Sequence, residues 1–154
     1  MRIEIIYPGK TKAEYFQKGI DEYVKRLSRY VKIRIQQVKE YKGKGNDSAL
    51  KEKEGQRLLA KVPKSSFVVV LDPAGNQLSS EQMADSITQW EELGKQTVAF
   101  IIGGPNGLSR DVLDKADRIV SLSKMTFTHD MARLILLEQV YRAYTIKAGT
   151  AYHK

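Results

Sequence analysis

The sequence predicts an α/β fold, a largely parallel β-sheet with helices flanking it. Three observations carry this. The short runs Phe67–Leu71 (FVVVL) and Thr97–Ile102 (TVAFII) are apolar at every position but Thr97, as strands covered on both faces are. Helix-periodic segments alternate with strand-like ones along the chain, the order that parallel pairing requires. Glycine- and proline-bearing loops separate the two kinds of segment. With 154 residues, 42% hydrophobic and 29% charged, the chain suits one domain, residues 1–154, with a core of its own. No repeat, linker or second domain boundary is visible.

Arg2–Tyr7 alternates around Ile3 and Ile5 and predicts the first strand. In Lys12–Tyr30 the residues Tyr15, Phe16, Ile20, Tyr23, Val24 and Leu27 recur at helical spacing, predicting an amphipathic helix. Val31–Val38 alternates apolar with basic residues, a strand with one wet face. A polar loop, Glu40–Ser48, precedes a helix over Ala49–Lys61 that Pro63 closes. After Phe67–Leu71, the stretch Asp72-Pro73-Ala74-Gly75-Asn76 reads as an exit turn. Ser79 or Ser80 caps a helix running to Leu93, with Gly94 as its stop. Thr97–Ile102 is the next strand. A short helix near Arg110–Lys115, a brief strand Arg118–Leu122 and a long helix Thr128–Tyr144 complete the order, leaving the tail Thr145–Lys154.

Composition removes several classes. There are no cysteines, which excludes disulfides, thiolate zinc sites and cysteine nucleophiles. Two histidines, His129 and His153, do not make a histidine-rich site, so no metal is expected. No apolar run is long enough to span a bilayer, and MRIEIIYPGK reads as a strand, not a signal peptide; no membrane partner and a cytoplasmic location are the expectation. The net charge of +8 is uneven: Met1–Ser66 holds 17 Lys/Arg against 8 Asp/Glu, and the remainder 9 against 10. This asymmetry points to a polyanion, nucleic acid first, with Lys42, Lys44 and Lys51 as candidate phosphate contacts; a solvated basic face is the alternative.

Chemistry concentrates where strands end. Gly103-Gly104-Pro105-Asn106-Gly107 follows a buried strand directly. Glycine there lets backbone approach a ligand, and ligands of open α/β sheets sit beyond the carboxyl ends of strands. An ordinary turn has the same composition. If the strands ending at Leu71, Ile102 and Leu122 are parallel neighbours, their loops converge on one cleft, in which main-chain N–H and C=O groups can read a nucleotide-like ring. Phosphate-loop, dinucleotide-loop and nucleophile-elbow motifs are absent. Asp72 is either a functional carboxylate or the cap of its own Asp-Pro turn. Thr128–Tyr144 is apolar around most of its circumference, more than so small a chain buries alone, and predicts part core, part homodimer interface. Tyr152-His153-Lys154 offers a stacking ring, a titratable group and a cation; it is a mobile tail or a nucleotide-binding lid.

Taken together, IIGGPNGLS, SLSKMTFTHDMARLILLEQVYRAYTI, the terminal YHK, LDPAG and the GKG of the basic half resemble the SPOUT-class RNA methyltransferases over essentially the whole chain. The likeness is to the small RlmH type, which methylates N3 of a pseudouridine in bacterial large-subunit ribosomal RNA. The resemblance implies a SPOUT fold with a trefoil knot near the carboxyl end, a homodimer, S-adenosyl-L-methionine as cofactor and 23S rRNA of the assembled ribosome as partner. It places cofactor contacts at Leu71, Gly103, Gly104, Leu122, Ser123, Lys124, Met125, Thr126 and Phe127. It links His129, Arg142, Tyr152 and His153 to catalysis, and Arg133 and Lys154 to RNA. Lys154 stands where the family commonly has arginine, which keeps the charge and loses the planar fork. Two other classes fit single features: a non-catalytic RNA-binding ribosome-assembly factor fits the basic half, and a nucleotide-binding hydrolase or regulator fits the glycine turn.

Overall fold

The computed structural model describes residues 1–41 and 47–153. The element order is β1 (Arg2–Pro8), α1 (Glu14–Leu27), β2 (Lys32–Val38), α2 (Asp47–Leu59), β3 (Phe67–Gln77), α3 (Ser80–Glu92), β4 (Thr97–Ile102), α4 (Arg110–Asp114), β5 (Arg118–Ser121) and α5 (His129–Lys147), then a 3-10 turn at Ala151–His153. The five strands form one sheet in the order β2-β1-β4-β3-β5, and every pairing is parallel. Among the described residues no helix is long and apolar enough to cross a membrane.

Alternation along the strands feeds two cores. Ile3, Ile5 and Tyr7 of β1, Val69 of β3, and Phe100 and Ile102 of β4 face α1, α3 and α5. Ile6, Val68, Val70, Ala99 and Ile101 face α2 and α4 on the other side. Helices on both faces are why the first part of β3 and β4 read as nearly continuous apolar runs.

Two elements differ from the sequence reading. Residues 72–76 are not an exit turn. After an irregularity between Leu71 and Asn76, β3 resumes pairing with β5, Asn76 opposite Val120 and Gln77 opposite Ser121. Gly75 permits this, since a Cβ there would stand 2.7 Å from the backbone of Ile119 and Val120. Helix α5 also runs on to Lys147, where Lys147 pairs with Glu91 of α3. Its apolar circumference is largely covered within the chain: it lies between α1 and α3, and Leu136, Leu137, Val140 and Ala143 are fully buried. The part of the helix expected in the core is there, while Met131 stays 37% exposed.

One polar junction pins α5 to the sheet. Arg133 is 3% exposed. Its guanidinium donates to the carbonyl of Pro8 at 2.7 Å, to Thr11 Oγ1 at 3.1 Å and to Asp130 Oδ1 at 3.2 Å, and lies 4.0 Å from the Tyr7 ring centroid. Asp130 Oδ2 accepts from the backbone N–H groups of Lys12 and Ala13, which lead into α1. Breaking a buried pair by removing one partner typically costs about 3–5 kcal/mol, because the other charge stays buried. Asp130→Ala is therefore expected to destabilise by roughly that amount, and Asp130→Ala with Arg133→Met to recover most of it. Urea unfolding checks this; a double variant no more stable than the single one contradicts it.

Candidate cofactor-binding site

The order β4-β3-β5 sets three carboxyl ends side by side, and the loops leaving them enclose a cavity of about 300 Å³. Leu71, Asp72 and Pro73 line it from β3, and Ile102 to Pro105, Gly107 and Leu108 from the turn after β4. Ser121, Leu122, Ser123, Met125, Thr126 and Phe127 line it after β5, and His129 and Ala132 from α5. The volume is at the small end of the range for small-molecule sites. Of the nine residues expected at a cofactor, eight line the cavity; Lys124 is exposed and does not. Sequence reasoning missed Ala132, although it lies three residues from His129 and so on the same helix face.

Local bonds shape these loops. Ser121 Oγ donates to the Ser123 carbonyl at 3.0 Å, and Ser123 Oγ accepts from the Met125 N–H at 2.9 Å. Asp72 Oδ1 accepts from the Ala74 N–H at 2.9 Å, a bond within the irregular stretch of β3, and Asp72 lines the cavity as well. Gly107 closes the other turn, donating to the Gly104 carbonyl at a φ of +76° that favours glycine. The paired glycines answer first to the protein's own packing. A Cβ on Gly103 would stand 2.9 Å from Leu108 Cγ, and one on Gly104 2.8 Å from Glu54 Oε1.

Glu54 is a residue the sequence did not single out. It lies on α2, is 2% exposed, and its Oε1 has no hydrogen-bond partner. Burial pushes its carboxyl above the ordinary range, while the backbone N–H groups of Tyr41 and Gly104 pull it down by less. Beside it, Gly55 packs so closely on Ser109 that a Cβ would stand 2.1 Å from Ser109 Oγ. Lys51, one turn earlier, lies against Gly107. Helix α2 is thus the outer wall of the glycine turn.

The other expected residues separate into groups. His129 lines the cavity and is held below its ordinary pKa, by burial first and then by the Arg133 charge, so the neutral imidazole is favoured. Arg133 is turned inward at the α5 junction, its buried guanidinium bonded to protein groups, and it also lines a small hollow with Lys12, His129 and Asp130. Arg142 and Tyr152 lie together further along α5. Arg142 pairs with Glu138 at 2.6 Å and stands over the Tyr152 ring, whose hydroxyl bonds to Tyr23 at 3.1 Å and Glu138 at 3.3 Å. The tail is therefore packed on α1 and α5, and Tyr152 lines none of this chain's cavity. The backbone of His153 closes the 3-10 turn. Lys42, Lys44 and Lys154 lie outside the described residues. Among the described residues no group of three His, Cys, Asp or Glu is placed to hold a metal.

A parallel α/β sheet with a glycine turn beside a cavity at its carboxyl edge is the arrangement in which open α/β sheets hold small-molecule ligands. A family model described as "Predicted SPOUT methyltransferase" matches residues 1–153, and the chain belongs to that family of methyltransferases. It is similar to the ribosomal RNA large subunit methyltransferase H of Desulfotalea psychrophila, 51% identical over the whole of both chains, and to that of Halothermothrix orenii, 48% identical over the same full extent. Two solved structures share the fold. One is a probable methylase family protein of Haemophilus influenzae Rd KW20, with TM-score 0.54 and 14% identity, covering 99% of this chain and 70% of that one. The other is a probable methyltransferase of Bordetella pertussis Tohama I, with TM-score 0.55 and 11% identity, covering 92% and 95%. Membership implies a methyl donor.

The Glu54 carboxyl binds its proton more readily folded than unfolded. Its contribution to stability is therefore full below its ordinary pKa of 4.5 and is lost as pH rises through the raised value. The stability of the wild type relative to Glu54→Gln should fall as pH rises from the ordinary carboxylate range through neutrality. Urea midpoints of both proteins across that range read the difference; a constant gap would show that the carboxyl is not shifted.

Proposed function

We propose that this methyltransferase binds S-adenosyl-L-methionine in the cavity at the ends of β3, β4 and β5, and methylates N3 of a pseudouridine in 23S rRNA of the assembled ribosome. The observation that carries the reading is the cavity itself. It joins loops that are far apart in sequence, on a chain about half identical, end to end, to proteins named for ribosomal RNA methylation. The residues fit a sulfonium nucleoside. The backbone after β4 and β5 offers N–H and C=O groups to an adenine edge, Leu71, Ile102, Leu108 and Phe127 offer apolar walls, and among the described residues no lysine or arginine lines the cavity to repel a sulfonium. When bound, the cofactor supplies an electrophilic methyl group. The SPOUT fold also implies a trefoil knot, which would run through the loops that form this cavity.

The chain's own residues then have two tasks. The first is alignment and exclusion of water, which the loops perform by enclosing the reacting atoms. The second is the N3 proton of the uracil-type ring, which must leave for the nitrogen to become nucleophilic. His129 lines the cavity and favours the neutral form, which has one accepting ring nitrogen, so it is assigned as the proton acceptor. Isothermal calorimetry with S-adenosyl-L-methionine tests the cofactor reading. Ala132→Phe sets a ring into the cavity from α5 and should weaken binding at least about tenfold at unchanged unfolding temperature, about 1.4 kcal/mol of binding energy. Unchanged affinity in a folded Ala132→Phe protein would count against the site.

The same reading makes the protein a homodimer whose tail serves the partner's cavity. Glu138, where Tyr152 is anchored, is nine residues along α5 from His129, roughly 14 Å at the helical rise. Tyr23, Tyr30, Tyr141 and Tyr152, with Arg26 and Arg142, form an aromatic and arginine-rich surface beside the tail, the composition of interface centres. Subunits lacking residues 152–154 should be inactive, and so should subunits blocked by Ala132→Phe. Mixing the two should restore part of the methyl transfer, since one cavity and one tail then meet intact. A mixed sample that stays inactive while light scattering reports dimers would overturn the crossing.

A further inference from the structure

The strands that do not build the cofactor cavity end in a groove of their own. Beyond the carboxyl ends of β1 and β2 lies a hollow of about 680 Å³, lined among others by Lys10, Gln37, Lys39, Glu40, Tyr41 and Arg57. Its cations are held in place. Arg57 donates to the Lys39 carbonyl at 2.9 Å and stands 5.3 Å from the Tyr41 ring centroid. Lys53 stands 4.9 Å from the same ring and donates to the Tyr41 hydroxyl at 3.0 Å. Lys53 and Arg57 are four residues apart on α2, a like-charge spacing that costs a helix stability. Two cations gathered on one ring, with Lys10 and Lys39 nearby, leave a positive field that an anion relieves.

The groove is also connected. A smaller hollow of about 190 Å³ shares Gly9, Lys10 and Glu40 with it, and shares Pro105 and His129 with the cofactor cavity. The three hollows run along one edge of the sheet, basic at one end and at the reacting centre at the other. Lys12 lines the middle hollow. Of the carboxylates there, Asp130 is taken up by Arg133 and by two backbone N–H groups, which leaves Glu40 facing the path.

We propose that this edge is the path by which a single strand of the substrate RNA reaches the cavity of the same subunit, with its phosphates on Lys10, Lys39 and Arg57. The proposal rests on the RNA methyltransferase reading above. Arginine in a fixed fork and lysine as a point charge are the two standard phosphate partners, and both are present. Glu40 repels phosphate and accepts from a 2′-hydroxyl or a base N–H, so it sits where the strand must present sugar or base and not backbone charge. The groove thereby sets how far along the strand the target base falls.

The test compares two charge-matched triple variants. Lys10→Gln, Lys39→Gln and Arg57→Gln remove the groove's charge. Lys64→Gln, Lys95→Gln and Arg118→Gln remove the same charge near the amino ends of the strands. Methyl transfer to 70S ribosomes is measured against salt, with co-sedimentation on the same ribosomes as the binding readout. The groove variant should raise KM at least tenfold with kcat at saturation held within about twofold, and flatten the salt slope by about two, as three lost contacts to a single strand require. Its affinity for S-adenosyl-L-methionine and its unfolding temperature should match the wild type. An unchanged KM and slope, or an equal effect of the control triple, overturns the path. Absence of methyl transfer by the wild type overturns the proposed reaction instead, and the path is then judged on co-sedimentation alone.

Discussion

The site depends on one buried cation. Arg133 joins the end of β1, the lead into α1 and the first turn of α5 at a single point, through Pro8, Thr11 and Asp130. Those bonds hold the amino end of α5 over the sheet's carboxyl edge, and that end carries His129 and Ala132 into the cavity. A guanidinium suits the task because its donors diverge in a rigid plane, so one group can reach three acceptors while its face rests on Tyr7. Desolvation of the charge is offset by those bonds and by the Asp130 carboxylate, although Nε stays without a partner. The strain this leaves is local, and it sits where α5 must not shift.

A second constraint acts from the opposite face. The turn after β4 is pressed between the cavity and α2. Close contact there is made possible by the absence of side chains at Gly55, Gly103 and Gly104, and it leaves Glu54 Oε1 and Ser109 Oγ buried without partners. Buried polar atoms without partners cost free energy, so tight packing of α2 onto the turn is maintained against a local penalty. Helix α2 also carries Lys51, Lys53 and Arg57. The same helix therefore borders the turn after β4 along one side and presents cations along another, which links the position of those cations to the shape of the cavity.

Much of this was legible in the sequence, for reasons that can be named. Strands covered on both faces advertise themselves as unbroken apolar runs, and ligand loops of a parallel sheet follow such runs directly; Leu71, Gly103 and the 122–127 loop were readable on that ground alone. The failures share a cause. Residues 72–76 have turn composition, and only β5, more than forty residues on, recruits them into a strand. The burial of Arg133 has no local sign in the sequence, because its acceptor, the Pro8 carbonyl, lies 125 residues away. Glu54 falls at helical spacing on a helix with few apolar residues, where a carboxylate ordinarily faces water. Local pattern specifies elements, and long-range contact decides which polar groups are buried.

The charge asymmetry acquires a spatial meaning from the strand order. The basic first half builds β1, α1, β2 and α2, and so one flank of the sheet; the near-neutral second half builds β3 to α5, and so the cavity. Because all strands are parallel, both flanks open their loops on the same edge. In the proposed reading, a cofactor with a positive centre and a polyanionic substrate call for different electrostatic surroundings, and among the described residues the cavity is lined by no lysine or arginine while the neighbouring groove gathers them. The β1–β4 pairing joins the two halves in register, Ile5 against Phe100 and Ile6 against Ile101. In the proposed reading, substrate grip and methyl-donor binding fall to separate stretches of chain, and the β1–β4 pairing at the centre of the sheet sets their relative position.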